Sequence, residues 1–157
     1  MTVRDAKSSE IDALAKIWFD GWQDAHAHLL PEALARLRTL DSFRDRLGVA
    51  LDRVRVVGPA DAPVGFCMTK GSELYQLYVS PEARGAGLAA ALIVDAEARL
   101  HKNGVPHAWL ACAIGNERAA RFYEKCGWVR AGTVVEQLDI DGGTFPLAVW
   151  RYEKALK

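Results

Sequence analysis

Apolar residues recur at helical intervals in the first part of the chain. Ile11, Leu14, Ile17, Trp18 and Trp22 fall on one stripe of a helix and predict a face packed on a core. Ser8 and Ser9 precede the stripe. With Ser9 as the cap and Asp12 three positions on, a capping box predicts the helix start. A short edge strand is expected over Thr2–Asp5 before it. Pro31 opens a second helix carrying Leu34 and Leu37, and Phe43 with Leu47 marks a third. The period then changes. Val54, Val56 and Val57 predict a strand, the run Gly58, Pro59, Ala60, Asp61 a turn, and Val64–Thr69 the partner strand of a hairpin. Glu73–Val79, rich in Tyr and Leu, reads as a further strand that Ser80 and Pro81 stop. Helical spacing returns over Leu88–Leu100, with Asn103 and Gly104 as the exit. A strand over Ala108–Cys112, a short helix over Glu117–Lys125 and a closing hairpin follow. The hairpin pairs Val134–Ile140 with Phe145–Tyr152 through the turn Asp141, Gly142, Gly143.

This order predicts an α/β fold with a mixed central sheet, because the hairpins at both ends are incompatible with a wholly parallel, doubly wound one. No linker and no internal repeat interrupt it, so residues 1–157 are expected to form one domain. Half of the residues are hydrophobic and 25% are charged, a composition that folds without staples. Cys67, Cys112 and Cys126 are scattered, with no pair spaced for zinc or for a redox dithiol; no metal is expected, and a reducing cytoplasm suits them. The start of the chain carries no leader-like apolar run, and no stretch predicts a membrane span, so neither secretion nor a membrane is implied. Twenty basic and twenty acidic side chains cancel, which removes the global electrostatic reason to expect nucleic acid. The terminal hairpin can support a homodimer, though no residue marks the interface.

The run from Leu77 to Ala89 carries the most chemistry. A strand ends at Val79, a loop with Gly85 and Gly87 follows, and a helix begins, so backbone amides and the positive end of the helix dipole converge on one place. That arrangement suits an anion. The spelling is neither that of a dinucleotide-binding turn nor that of a nucleoside triphosphate loop.

Arg84-x-x-Gly87-x-Ala89 after the Val79 strand resembles the first signature of the GCN5-related N-acetyltransferases (GNAT). The run Asn116, Glu117, Arg118, Ala119, Ala120, Arg121, Phe122, Tyr123, followed by Gly127 and Trp128, resembles the second, with Trp128 where Phe is usual. The resemblance implies a GNAT-like mixed sheet flanked by helices, with a V-shaped splay between two parallel strands, one ending at Val79 and the other at Cys112. It implies acetyl-CoA as donor, transfer of its acetyl group to a primary amine of a small molecule, and direct attack in a ternary complex. Transfer to a protein amino terminus or lysine, or a coenzyme A-binding regulatory module without turnover, are the alternatives.

Carried over residue by residue, the likeness places the pyrophosphate on the amides of Arg84, Gly85, Ala86, Gly87, Leu88 and Ala89. It places the pantetheine arm on the backbone of Leu77 and Val79 and on the side-chain amide of Asn116, with the thioester near Leu77 and Tyr78. Tyr123 matches the tyrosine that donates a proton to the leaving thiolate; its competing reading is packing of a short helix. Glu73 matches the position of a catalytic glutamate and would relay the amine proton through water, or else stand solvated at a strand start. An alkyl ammonium with a pKa near 10 needs such help, and most at mildly acidic pH. By strand alternation Gln76 and Tyr78 are expected on the face opposite Glu73. Trp22, His26 and His28 belong to the segment that lines the acceptor side in this family, against a reading in which the tryptophans Trp18 and Trp22 are core and the histidines merely satisfied or exposed. Cys112 lies beside the cleft, and no neighbouring base predicts a thiolate there.

Overall fold

The computed structural model describes residues 2–157. A single seven-stranded sheet runs in the order β1-β2-β3-β4-β5-β7-β6. The strands are β1 (Arg4–Asp5), β2 (Val54–Val57), β3 (Gly65–Lys70), β4 (Glu73–Val79), β5 (His107–Ala113), β6 (Val129–Ile140) and β7 (Gly143–Ala155). All neighbours are antiparallel except β4 and β5. Helices α1 (Ile11–His26), α2 (Glu32–Leu37) and α3 (Leu40–Ala50) precede β2; α4 (Leu88–Lys102) joins β4 to β5, and α5 (Glu117–Lys125) follows β5.

Two apolar layers hold the sheet between helices. On one face Leu14, Trp18, Phe43 and Leu47 meet Val56, Phe66 and Met68. On the other, Leu92, Ile93, Ala96 and Leu100 of α4 meet Leu74, Leu110 and Tyr152. Trp128, which ends the second signature, is 2% exposed in that second layer, and its indole N–H donates to Glu97 at 3.3 Å. The stripe read along α1 is therefore core at Leu14, Trp18 and Trp22.

The start of α1 differs from the Ser9–Asp12 capping box. A 3-10 turn over Ser8–Glu10 leads into the helix, and the Glu10 carboxylate accepts the Lys7 N–H at 2.9 Å. Glu10 is wholly buried, with Arg4 donating at 2.9 and 2.6 Å and the Asp61 N–H at 3.1 Å. One carboxylate thus ties β1, the helix entry and the β2–β3 turn together, while the Ser9 hydroxyl caps no helix amide and instead donates to the Asp61 carboxylate at 2.6 Å. The hydrogen bonds from Arg4 outweigh burial and hold the Glu10 carboxyl at about 2. Because that value lies below the ordinary 4.5, the stabilisation is complete above pH 4.5 and is lost as pH falls towards 2. Glu10→Gln is expected to cost about 3 kcal/mol at neutral pH, the low end for a buried pair because Arg4 keeps some solvent. Urea titrations across this range should show a smaller loss on acidification in the variant than in the parent.

The sheet is irregular where β3 meets β4. Met68 lies opposite Gln76 and Thr69 opposite Leu74, so Tyr75 is an extra residue without a partner. This bulge inverts the alternation. Tyr75 and Tyr78 pack on the α1 side, while Leu74, Leu77 and Val79 pack on the α4 side. The expectation that Gln76 and Tyr78 face away from Glu73 is therefore corrected: all three border one cavity. A bulge also adds twist and bends its strand. The registered pairing of β4 with β5 is confined to Glu73 opposite Trp109, with the Trp109 N–H reaching Ser72 O at 3.2 Å, and the two strands diverge beyond it. The closing hairpin is longer than predicted, since β6 begins at Val129 and accommodates the unpaired Ala131 through a register shift between Arg130 and Gly132 that breaks the apolar pattern.

Candidate active site

The divergence of β4 and β5 opens a cleft of about 310 Å³. Leu77, Val79, Ala111, Cys112, Asn116 and Tyr123 are among its walls. The Ser80 N–H donates to Val64 O at 2.8 Å. In an antiparallel pair hydrogen-bonded positions alternate, so Leu77 and Val79, opposite Cys67 and Gly65, turn their backbone groups away from β3 and towards the cleft.

The glycine loop closes one end. Gly85 and Gly87 have φ of +86° and +76°, a conformation that L side chains avoid, and a Cβ at either would meet nothing within 4 Å. The space above them is open. Gly87 is also the residue before α4, whose first amides have no helical acceptor. Arg84 and Ala89 line the cleft. Leu88 is buried in the layer beneath α4 and does not line the cleft. The Arg84 guanidinium lies 3.8 Å from Asp24 of α1, linking loop and helix.

Asn116 precedes α5 and caps it, its Oδ1 accepting the Ala119 N–H at 3.3 Å. Its side-chain NH2 has no partner among the described residues and borders the cleft. Tyr123 is packed against Phe122 and Tyr152, with ring centroids 5.5 and 6.2 Å away. Its hydroxyl has no protein partner among the described residues, and burial, then Cys112, pushes its pKa above that of an ordinary phenol. The group stays protonated at neutral pH. Burial likewise raises the Cys112 thiol to about 11, which leaves it a small buried side chain without thiolate character.

A second cavity, of about 100 Å³, adjoins the first on the α1 side. His26, Tyr75, Gln76 and Tyr78 border both. Glu73 belongs to the second cavity, where burial, and then Glu136, raises its carboxyl to about 8 against the pull of Lys70. Burial lowers His26 to about 4, helped by His28 and Arg38, so its imidazole is neutral. Its Nδ1 lies 3.4 Å from the Tyr78 hydroxyl. Trp22 is buried and forms part of the same wall. His28 is exposed in the turn after α1 and lines neither cavity. Among the described residues no cluster of three or more His, Cys, Asp or Glu could hold a metal ion, and no helix is long and apolar enough to cross a membrane.

Arg38, Arg46 and Tyr75 also line the second cavity and were not singled out in the sequence, and Gln76 joins them against the expectation from alternation. Arg46 did leave a signal, since it shares the apolar face of its helix with Phe43 and Ala50. Arg38 left none, because it follows α2 and reaches the site only through tertiary packing.

A family model described as the acetyltransferase (GNAT) family matches residues 11–128. The peptidyl-lysine N-acetyltransferase YjaB of Escherichia coli is 28% identical over 147 residues, 94% of this chain and 93% of its own. A GCN5-related N-acetyltransferase of Rhodopseudomonas palustris superposes with a TM-score of 0.76 at 22% identity, covering 99% of this chain and 95% of that one. The PaiA N-acetyltransferase of Thermoplasma acidophilum, solved with coenzyme A, superposes with a TM-score of 0.71 at 19% identity over 98% and 97%.

Proposed function

We propose, for a chain that belongs to the GNAT acetyltransferase family and is thus an acetyl-CoA-dependent N-acetyltransferase, that the acceptor is a primary amine of a small molecule, attacked directly in a ternary complex. The observation that carries this reading is the meeting of a wide cleft and a small cavity at Tyr78, with the Glu73 carboxyl on one side and the Tyr123 hydroxyl on the other.

In this reading the amides of Arg84 to Ala89 hold the pyrophosphate, which the positive φ of Gly85 and Gly87 lets approach the backbone. Leu77 and Val79 offer their backbone groups, and Asn116 its free NH2, to the pantetheine arm. A main-chain amide of this β4 edge stabilises the negative charge that develops on the thioester oxygen. Trp22 and His26 wall the acceptor site, and neutral His26 adds no charge to repel an ammonium. Glu73 takes the amine proton through water, and Tyr123 gives a proton to the departing sulfur. The likeness to YjaB favours a second reading, a peptide lysine as acceptor, which the small cavity admits only as an extended side chain.

Release of free thiol from acetyl-CoA, measured against a panel of small amines and lysine peptides, tests the assignment; turnover confined to the peptides would displace the small-molecule reading. The pH profile tests Glu73. With its carboxyl at about 8, the base form grows in as pH rises to 8, so the help it gives is greatest at and above that value and not under mildly acidic conditions. Glu73→Gln is expected to lower kcat by about 100-fold at pH 8.5 and by progressively less below pH 7. Profiles of parent and variant that run parallel would remove Glu73 from the proton path.

A further inference from the structure

The acceptor cavity contains two arginines that no carboxylate of the described residues touches as an ion pair, Asp139 acting on both only from a longer distance. Arg38 is 5% exposed and lines the cavity, and its one hydrogen bond runs from Nη1 to the main-chain oxygen of Asp139 at 2.6 Å. Arg46 lies with its guanidinium 4.4 Å from the Trp18 ring centroid and donates to the Tyr75 hydroxyl at 2.8 Å. Among the described residues neither takes part in an ion pair. Their neighbours behave differently: Arg36 holds Glu32 and Arg44 holds Asp12 and Asp41.

The acids nearby are committed elsewhere. The Asp139 carboxylate accepts from Lys70 at 2.6 Å and from the Tyr75 hydroxyl at 2.7 Å. Glu73, held near 8, carries a proton at neutral pH and offsets little positive charge. Arg38 is disfavoured as a cation by burial and then by Arg46, which lowers it to about 10, yet it remains charged. A buried guanidinium costs free energy unless it is paired, and its planar fork matches a carboxylate.

We infer that the acceptor carries a carboxylate as well as its amine, the carboxylate seated on Arg38 and Arg46 and the amine directed past Gln76 and Tyr78 to the donor cleft. The inference rests on the transfer reading above and specifies its substrate class as a small amino acid. A cavity of about 100 Å³ suits a compact head group of this kind.

Matched acceptors isolate the carboxylate on the unaltered protein. Alanine against ethylamine, and γ-aminobutyrate against propylamine, are compared by thiol release at saturating acetyl-CoA. At least one acid should exceed its decarboxylated partner by about 100-fold or more in kcat/KM, because a site built for hydrogen bonds rejects an analogue that leaves them unmade. Arg38→Met should abolish the preference mainly through KM, and Arg38→Lys should restore part of it, with thermal melting to show that both are folded. Arg46→Met gives a second, independent loss. Equal use of acids and decarboxylated amines, or a preference that survives Arg38→Met in a folded protein, overturns the inference while transfer to amines stands. Butyrate provides a readout without turnover. If no small amine is acetylated but butyrate still raises the melting temperature in an Arg38-dependent manner, the carboxylate site is supported and the small-molecule transfer reading fails.

Discussion

Tyr123→Phe is expected to lower the single-turnover rate of acetyl transfer by about 100-fold to 10,000-fold while donor affinity stays at the parental level. In transition-state terms this is roughly 3 to 5.5 kcal/mol. The substitution keeps the ring, and with it the packing on Phe122 and Tyr152. Only the hydroxyl is lost, and that hydroxyl serves no protein acceptor among the described residues, so the fold loses no hydrogen bond. Its raised pKa keeps the hydroxyl protonated at neutral pH, so a proton is in place when the thiolate departs. Rapid mixing of an amine with protein already holding acetyl-CoA isolates the chemical step. A folded Phe variant with the parental rate would leave Tyr123 a packing residue and leave donor binding untouched.

Gly87→Glu is expected to weaken acetyl-CoA binding by more than about 100-fold, since it sets a carboxylate at the proposed pyrophosphate site and would remove charge-assisted hydrogen bonds to the free amides there. Two effects are combined in this variant and Gly87→Ala separates them. At φ +76° any side chain costs about 1 to 2 kcal/mol of stability, and the alanine Cβ meets nothing within 4 Å. The alanine variant should therefore melt earlier but bind nearly as well. Calorimetry on both, below the melting temperature of each, is the check. Unchanged affinity in folded Gly87→Glu would move the phosphates elsewhere.

The boundaries of β4 and α5 follow directly from residues beside them. Pro81 cannot extend a ladder, and Asn116 is a capping residue whose side chain does cap the helix. The glycine loop is legible for the same reason, because a local backbone conformation demands its residues. Tertiary packing accounts for what the sequence reading missed. Glu10 carries no local sequence signal, since only Arg4 and the turn at Asp61, brought over it by the fold, make it a buried tie. Strand alternation assigns Glu73 and Gln76 to opposite faces, and one unpaired residue, invisible to any period-two pattern, brings them together. His26 and His28 look alike along the chain, yet the end of α1 falls between them and only His26 turns inward.

The seam between β4 and β5 is unfinished. A sheet of seven strands contains, in its interior, a stretch of backbone donors and acceptors on Leu77 and Val79 that β5 does not meet. Such a stretch behaves as an edge, and an extended chain laid along it adds a strand. A pantetheine arm bound there would act as that strand, so donor occupancy and sheet integrity become one thermodynamic quantity. At 100 times its dissociation constant the donor contributes about 2.7 kcal/mol to the folded state. The amides of Leu77 and Val79 would then report occupancy through slowed hydrogen exchange, and the folded population would track how much acetylated donor its surroundings hold.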